Sequence, residues 1–119
     1  MCAISLGNKV GIDVEEIREI PVSDFDREFS KMEMEFISNS ADPIREFYKL
    51  WTQKEAFLKA IGSGLYVPLN LVSVIDNIIK WDETKWFLTE VPLPDTTGYI
   101  SHLCTDLSMT EMKIKRIVF

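Results

Sequence analysis

The feature that most constrains the fold of this chain is one long helical stretch with its own start and stop signals. Asp42 and Pro43 offer an N-cap followed by proline at the first helical position, and Gly62 offers a stop. Between these signals the apolar residues, Trp51 among them, recur at helical spacing. The sequence therefore predicts one continuous helix over Pro43–Ile61, with a buried stripe that includes Trp51.

Two shorter helices are predicted before it. Ser30–Glu33 has the pattern of a capping box that opens a helix, and Ser23 is a candidate cap for a short helix upstream. The apolar residues that fall on one side of this region, and are predicted to face the core, are Phe29, Met32, Phe36 and Ile37.

The remaining segments are rich in β-formers and are separated by turn residues. Near the start of the chain, two short strands are predicted to form a hairpin around Gly7–Asn8, the second strand running over residues 10–15. Further strands are predicted at residues 72–75, 78–81, 85–91, 99–105 and 112–118. We therefore expect an α+β fold, with an antiparallel sheet and helices packed on one face, in a single domain over residues 1–119.

Composition excludes several classes of function. The 19 acidic and 13 basic residues give a net charge of -6, which argues against a general nucleic-acid binder because phosphate contacts need a basic surface. The two cysteines are too few for a disulfide framework, and the apolar runs are too short for a membrane span. Without a recognisable signal peptide, a cytoplasmic protein with no membrane association is expected.

Two pairs of charged residues could carry chemistry. Asp13 and Glu15 lie two apart on a predicted strand and project from one face, while Glu55 and Lys59 lie four apart on one face of the long helix. If the strand and the helix meet, three carboxylates and one ammonium converge, a donor set that suits Mg²⁺. Alone, the first pair is more often a solvated strand edge and the second a surface ion pair.

Four blocks of sequence occur together in a specific order. They are Val10–Glu15, Phe29–Glu33, Trp51–Lys59, and Gly62–Leu65 with Pro68–Leu69. Together they resemble the 4'-phosphopantetheinyl transferase superfamily, whose signature is a Gly-Ile-Asp strand followed by a Trp-x-x-Lys-Glu-x-x-x-Lys helix. The resemblance covers about residues 2–71.

The resemblance implies an enzyme that moves the phosphopantetheine arm of coenzyme A to a serine of a carrier protein, with Mg²⁺ or Mn²⁺. It assigns the metal to Asp13, Glu15 and Glu55. It also implies that Lys59 lies near the reacting phosphate and that Lys54 contacts a phosphate of coenzyme A. Phosphoryl transfer depends mainly on charge neutralisation and alignment, which agrees with these roles.

The base that activates the serine is left open. Glu55, directly or through a metal-bound water, is one candidate, and Lys59 is the other. Gly62 and Gly64 would let the backbone approach coenzyme A, although Gly62 is equally suited to be a helix C-cap. We interpret His102 as a structural or surface residue and Glu33 as a cap.

The motifs resemble the second half of the longer enzymes of the superfamily, similar to the surfactin synthetase activating enzyme, whereas the length resembles holo-acyl-carrier-protein synthase. The histidine-serine pair that the longer enzymes carry upstream is not found here. We expect a homodimer or homotrimer that completes the cleft. A partner chain, a catalytically incomplete fragment, a non-catalytic module that binds a carrier protein or coenzyme A, and a metal-dependent nuclease are the alternatives.

The carrier protein, whether from fatty acid, polyketide, peptide or lysine metabolism, is not identified by the sequence. Carrier proteins are acidic, so docking would need a local basic patch with nearby apolar residues of the 17–36 segment. The basic residues available for this patch, around the first helices, are Arg18, Arg27, Lys31, Arg45 and Lys49.

Overall fold

A computed structural model describes residues 2–3, 9–62, 67–93, 98–106 and 117–118 of the chain. The strands are β1 (Cys2–Ala3), β2 (Val10–Glu16), β3 (Val74–Ile75), β4 (Ile78–Trp81), β5 (Thr84–Glu90), β6 (Tyr99–Thr105) and β7 (Ile117–Val118). The α-helices are α1 (Lys31–Asn39) and α2 (Pro43–Ile61), and two 3₁₀ segments span Val22–Glu28 and Leu69–Leu71.

The long helix α2 has the bounds that the sequence predicts. Asp42 caps it, because its Oδ1 accepts a hydrogen bond of 3.2 Å from the Arg45 backbone N–H. At the other end Gly62 has φ 78°, and its N–H donates to the Leu58 carbonyl at 3.2 Å. Both signals therefore act as predicted, and they set where α2 begins and ends.

Five strands form one antiparallel sheet in the order β2-β6-β5-β4-β3. The strand β2 lies at its edge and pairs with β6 from Val10 opposite Thr105 to Glu16 opposite Tyr99. Helix α2 packs against β2 and β6. The expected α+β architecture is confirmed, and it brings the strand that carries Asp13 against the helix that carries Glu55.

Gly11 permits the close contact between β2 and α2. A Cβ atom at this position would lie 2.2 Å from the Ala56 carbonyl oxygen and 2.4 Å from the Ala60 nitrogen, both of them backbone atoms. Those distances are far inside van der Waals contact, so only glycine lets the strand approach the helix this closely.

The first strand pairs differently from the prediction. The expected hairpin would join β1 to β2, but Cys2 instead lies opposite Val118, and β1 forms a separate two-stranded sheet with β7. The hairpin interpretation is wrong for the described residues, because local turn signals do not specify pairing between chain ends. The Gly7–Asn8 turn itself lies outside the described residues, as does most of the strand predicted over 112–118.

Two predictions about the smaller helices are also wrong. The 3₁₀ segment follows Pro21, and Ser23 makes no side-chain cap. On α1, whose capping box is confirmed, Met32 and Phe36 are 74% and 59% exposed. The inward positions of α1 belong to Glu33 and Ile37, because the Glu33 carboxylate has buried partners of its own. No helix in the described segments is long and apolar enough to cross a membrane.

Candidate active site

Asp13 is the buried centre of the candidate site. It lies on β2 facing α2, and the Lys59 ammonium donates to its Oδ1 at 2.7 Å. Its other oxygen, Oδ2, is buried and has no hydrogen-bond partner in the described part of the chain. A buried carboxylate oxygen without a donor is costly, so this atom is suited to an additional cationic or donor ligand.

Glu15 and Glu55 both interact electrostatically with the Asp13 carboxylate. Burial, followed by the Asp13 carboxylate, raises the pKa of Glu15, although the Trp51 indole N–H, which donates to Glu15 Oε1 at 3.0 Å, works against this rise. Burial and then Asp13 also raise the pKa of Glu55, while Lys59 opposes the rise. The structure therefore brings together the three carboxylates and the one ammonium that the sequence predicts to meet.

We tested whether these residues suit a divalent cation. In the segments that the structure describes, no three His, Cys, Asp or Glu side chains already surround a point as metal ligands would. The donor chemistry nevertheless fits, because among the described residues Asp13 Oδ2 has no hydrogen-bond partner and three mutually repelling carboxylates share a single ammonium. Hard oxygen donors of this kind suit Mg²⁺, and Asp13, Glu15 and Glu55 are the residues that would hold it.

Lys54 differs from its sequence-based assignment as a phosphate contact. Its side chain is fully buried, and its ammonium donates to Glu33 Oε1 at 2.6 Å, the Leu69 carbonyl at 2.9 Å and the Glu28 carbonyl at 3.2 Å. An ammonium has three N–H donors, and all three are used inside the protein. In this structure Lys54 joins segments of the fold and leaves no donor for coenzyme A.

Glu33 is the acceptor at the centre of the same buried junction. Besides Lys54, its Oε1 accepts from the Ser30 backbone N–H at 2.9 Å, and its Oε2 accepts from the Val74 N–H at 3.2 Å. The predicted cap is therefore present, and Glu33 also connects α1 to α2 and β3. The sequence shows the capping box but not the distant partners.

Of the two glycines that the resemblance assigns to coenzyme A, the structure describes one. Gly62 is the C-cap of α2, and a Cβ added there would meet no atom of the described residues within 4 Å. Its part in binding coenzyme A stays a prediction. Gly64 lies outside the described residues.

The sequence predicts a core role for Trp51 and a structural or surface role for His102. Trp51 is half-buried and donates to Glu15, so the residue predicted for the core also orients a carboxylate of the site. His102 lies opposite Asp13 in the β2–β6 register, and its Nδ1 is 2.7 Å from Thr52 Oγ1. Burial, followed by the charge of Lys49, lowers the pKa of His102 to about 4. A buried indole or imidazole nitrogen needs a hydrogen-bond partner. This requirement is the signal that could have indicated that both residues bind other polar side chains.

A groove of about 310 Å³ begins at Glu15 and continues along aromatic side chains. The Phe47 and Trp51 rings stack at 5.9 Å between centroids, and Phe25 lies edge-on to Trp51 at 6.1 Å. The carboxylate cluster thus borders a surface on which an apolar ligand or protein segment can rest.

Comparison with known families identifies the class of protein to which this fold and this site belong. Residues 9–104 match the model of the 4'-phosphopantetheinyl transferase superfamily. The chain therefore belongs to this superfamily, as the resemblance implied.

Individual relatives agree with this assignment. The chain is 30% identical over 129 residues to the 4'-phosphopantetheinyl transferase gsp of Aneurinibacillus migulanus, covering 98% of this chain and 54% of that protein. It is 37% identical over 76 residues to the transferase Sfp of Bacillus subtilis strain 168, covering 62% of this chain and 34% of that protein. The chain thus spans about half the length of the first of these relatives and less of the second.

A solved structure supports the fold alone. The crystal structure of Thermotoga maritima holo-[acyl-carrier-protein] synthase superimposes with a TM-score of 0.61 at 18% identity, over 82% of this chain and 61% of that one. The α+β architecture is therefore that of the superfamily.

Proposed function

We propose that this chain carries the catalytic carboxylates of a Mg²⁺-dependent transferase, which moves 4'-phosphopantetheine from coenzyme A to a serine of an acyl or peptidyl carrier protein. The observation that carries the proposal is the Asp13–Lys59 pair at 2.7 Å, with Asp13 Oδ2 buried and without a partner in the part of the chain that the structure describes. Membership of the superfamily supports the reaction class. Assignment as a holo-acyl-carrier-protein synthase is part of the proposal.

Each charged residue has a proposed part in binding the pyrophosphate. When bound, Mg²⁺ would neutralise the charge of the pyrophosphate and polarise the phosphorus that is attacked. Asp13, Glu15 and Glu55 supply the oxygen ligands. The Lys59 side chain is 54% exposed, so its ammonium is held by Asp13 on one side and is open to a substrate phosphate on the other.

Glu55 is the better of the two candidate bases. A glutamate carboxylate can accept a proton, whereas the Lys59 ammonium already donates one to Asp13 and must lose one before it can act as a base. The carrier serine would give its proton to Glu55 as its oxygen bonds to the phosphorus that bears pantetheine. The bond from this phosphorus to the adenylate side breaks, and adenosine 3',5'-bisphosphate leaves. Lys59, whose ammonium is paired with Asp13, is the alternative base.

We also propose that a second copy of the chain completes the cleft, as a homodimer or a homotrimer. The support is that 98% of this chain aligns with 54% of its relative from Aneurinibacillus migulanus. One chain would then be the equivalent of one half of a two-half fold. A cytoplasmic setting belongs to the same proposal and agrees with the free, buried thiol of Cys104.

The carrier protein would dock beside the aromatic groove. Arg18, Arg27 and Lys31 are exposed in or near the segment that lines it. Their charges would attract an acidic partner at a distance although the whole chain is acidic.

The experiment is incubation of the full chain with coenzyme A, Mg²⁺ and an apo carrier protein, read by intact mass of the carrier. We expect a gain of one phosphopantetheine group with the wild type and none with Asp13→Ala or Glu55→Gln. Glu35→Gln, an exposed site on α1, is the matched control and should keep full activity. Size exclusion should show more than one subunit.

Two results would contradict the proposal. If the wild type gives no mass gain at any protein concentration but still binds coenzyme A or the carrier, the chain is a non-catalytic module. If the chain hydrolyses nucleic acid with the same Asp13 dependence, the alternative nuclease function is correct.

A further inference from the structure

A second cavity lies between α1, α2 and the turn that joins β3 to β4. Its volume is about 340 Å³, within the range of small-molecule sites. Met32, Phe36 and Ile75, all of them large and exposed, stand at its sides, and Leu50 is buried in its wall. It shares no residue with the carboxylate cluster around Asp13.

The polar groups of this cavity include two acceptors without donors. Gln53 is only 1% exposed, and its Nε2 donates to Asn77 Oδ1 at 2.9 Å. Its Oε1 is buried and has no hydrogen-bond partner among the described residues, and the same is true of Glu46 Oε2. Both residues line the cavity.

Buried acceptors without donors are rare in native proteins, since each one forfeits the hydrogen bonds that it makes in water. Here two of them lie in the lining of one cavity. A ligand that brings N–H groups into the cavity would satisfy both, and this need is independent of the apolar walls.

The charge of the lining specifies the kind of donor. Glu33, Glu46 and Asp76 contribute carboxylates, and Lys49 contributes one ammonium. The Glu33 carboxylate is already bound by Lys54 and by two backbone N–H groups. The negative charges of Glu46 and Asp76 therefore exceed the positive charge of Lys49. This excess favours a positively charged donor over a neutral or an anionic one.

We propose that this cavity binds a small organic cation, namely an ammonium group attached to an apolar aryl or alkyl body. The ammonium would donate to Gln53 Oε1 and to Glu46 Oε2, and the body would lie against Met32, Phe36 and Ile75. The volume suits a compact ligand rather than a long peptide. This site is separate from the transferase function proposed above and does not depend on it.

The test is a titration of the full chain with phenethylammonium chloride, followed by amide chemical shifts in ¹H–¹⁵N spectra. The side-chain N–H₂ of Gln53 is a direct reporter of the cavity. Two isosteric probes, 2-phenylethanol and phenylacetate, separate the charge from the apolar body. We expect saturable shifts at Gln53 and Ile75, and binding about tenfold tighter for the ammonium than for the alcohol, as a charged hydrogen bond implies.

Variants make the assignment specific. Glu46→Gln keeps the shape of the side chain and removes its charge, so it should bring the affinities of the ammonium and the alcohol together. Phe36→Ala should weaken both by removing a wall. The control Glu35→Gln, on α1 but outside the cavity lining, should change neither affinity.

Three results would overturn the proposal. One is the absence of saturable binding up to millimolar ammonium. Another is equal affinity for the ammonium, the alcohol and phenylacetate. The last is a set of shifts centred on Glu15 and Glu55, which would mean that the cation is attracted only by the carboxylate cluster.

Discussion

The Lys54 ammonium lies 2.6 Å from the Glu33 carboxylate in the protein interior. Lys54 directly precedes Glu55 in the sequence. Through the Lys54–Glu33 pair and its further hydrogen bonds, α2 is joined to the 3₁₀ segment at Glu28, to the Leu69 carbonyl and to β3 at Val74. The Lys54 ammonium also lies 4.8 Å from the centre of the Phe29 ring. The junction therefore fixes the part of α2 from which Glu55 projects.

Lys54→Met tests this junction. It leaves the Glu33 carboxylate buried without its cation, and we expect a loss of about 3 to 5 kcal/mol in the free energy of unfolding, as for other broken buried pairs. Denaturant midpoints measure the loss. The double variant Glu33→Gln with Lys54→Met removes both charges of this pair, so its loss should be smaller than the sum of the two single losses.

The control for this prediction is an exposed pair of nearly the same length. Arg18 Nε lies 2.7 Å from Glu16 Oε1 at the surface. Arg18→Met should leave the denaturation midpoint almost unchanged, since solvent screens such pairs. A small effect of Lys54→Met, comparable with that of Arg18→Met, would show that the buried junction does not stabilise the fold.

Gly11→Ala should separate β2 from α2. The new methyl group would overlap the Ala56 carbonyl, and backbone atoms cannot move aside without shifting the strand. We expect a loss of about 3 kcal/mol or more in stability, in the range for overpacked cores. Because the shift would carry Asp13 away from Lys59, any folded fraction should also lose the proposed transferase activity, measured as carrier mass gain.

Gly62→Ala is the comparison for Gly11. Gly62 has φ 78°, and a Cβ added there would meet no atom of the described residues within 4 Å, so the expected cost of alanine is backbone strain. We expect a loss of about 1 to 3 kcal/mol. A Gly11→Ala variant as stable as the wild type would contradict the close packing of strand and helix.

The pH dependence of stability should report His102. The pKa of His102 is about 4 in the folded chain, against 6.5 for the solvated imidazole of the unfolded chain. As the pH falls below 6.5, the unfolded chain therefore takes up the proton first. Stability should therefore decline between pH 6.5 and 4, by on the order of 3 kcal/mol from this residue. The raised pKa values of Glu15 and Glu55 act in the opposite direction.

His102→Gln isolates the contribution of the imidazole, because the amide can still hydrogen bond to Thr52. The variant should lose less stability than the wild type over this pH range, as measured by urea midpoints. An NMR titration in which the His102 ring of the folded chain takes up a proton near pH 6.5 would refute the prediction.

Local signals in the sequence predict the main helices and strands, but they do not predict every strand pairing and side-chain contact between them. The bounds of α2 and the capping box at Ser30 depend on neighbouring residues, and both are confirmed. The pairing of β1 with β7 and the burial of Lys54 depend on residues far away in the chain, which no local pattern encodes. Met32 and Phe36 fit a helical apolar stripe, but Glu33 occupies the inward position once Lys54 neutralises it.

The carboxylate cluster was predictable in part for the same reason. The strand and helix periodicities place Asp13 and Glu15 on one face and Glu55 and Lys59 on another, and the structure brings the two faces together. The indole of Trp51 that holds Glu15 was missed, because its spacing on α2 is that of a core residue.

Glu55→Gln should separate stability from function. The pKa of Glu55 is raised in the folded chain, so its negative charge opposes folding at neutral pH, and the opposition fades as the pH falls and the carboxyl takes up a proton. Without divalent cations, the variant should therefore melt at a higher temperature than the wild type near pH 7, and the difference should shrink in acid. Carrier modification by the variant should be lost.

Adding Mg²⁺ should reverse that order. A cation bound only by the folded wild type stabilises it by about 2.7 kcal/mol at a hundredfold excess over its Kd, whereas Glu55→Gln and Asp13→Asn lack a ligand and should gain much less. Thermal unfolding with Mg²⁺ and with EDTA measures both effects. Equal stabilisation of the wild type and both variants by Mg²⁺ would show that the cation does not bind at this cluster.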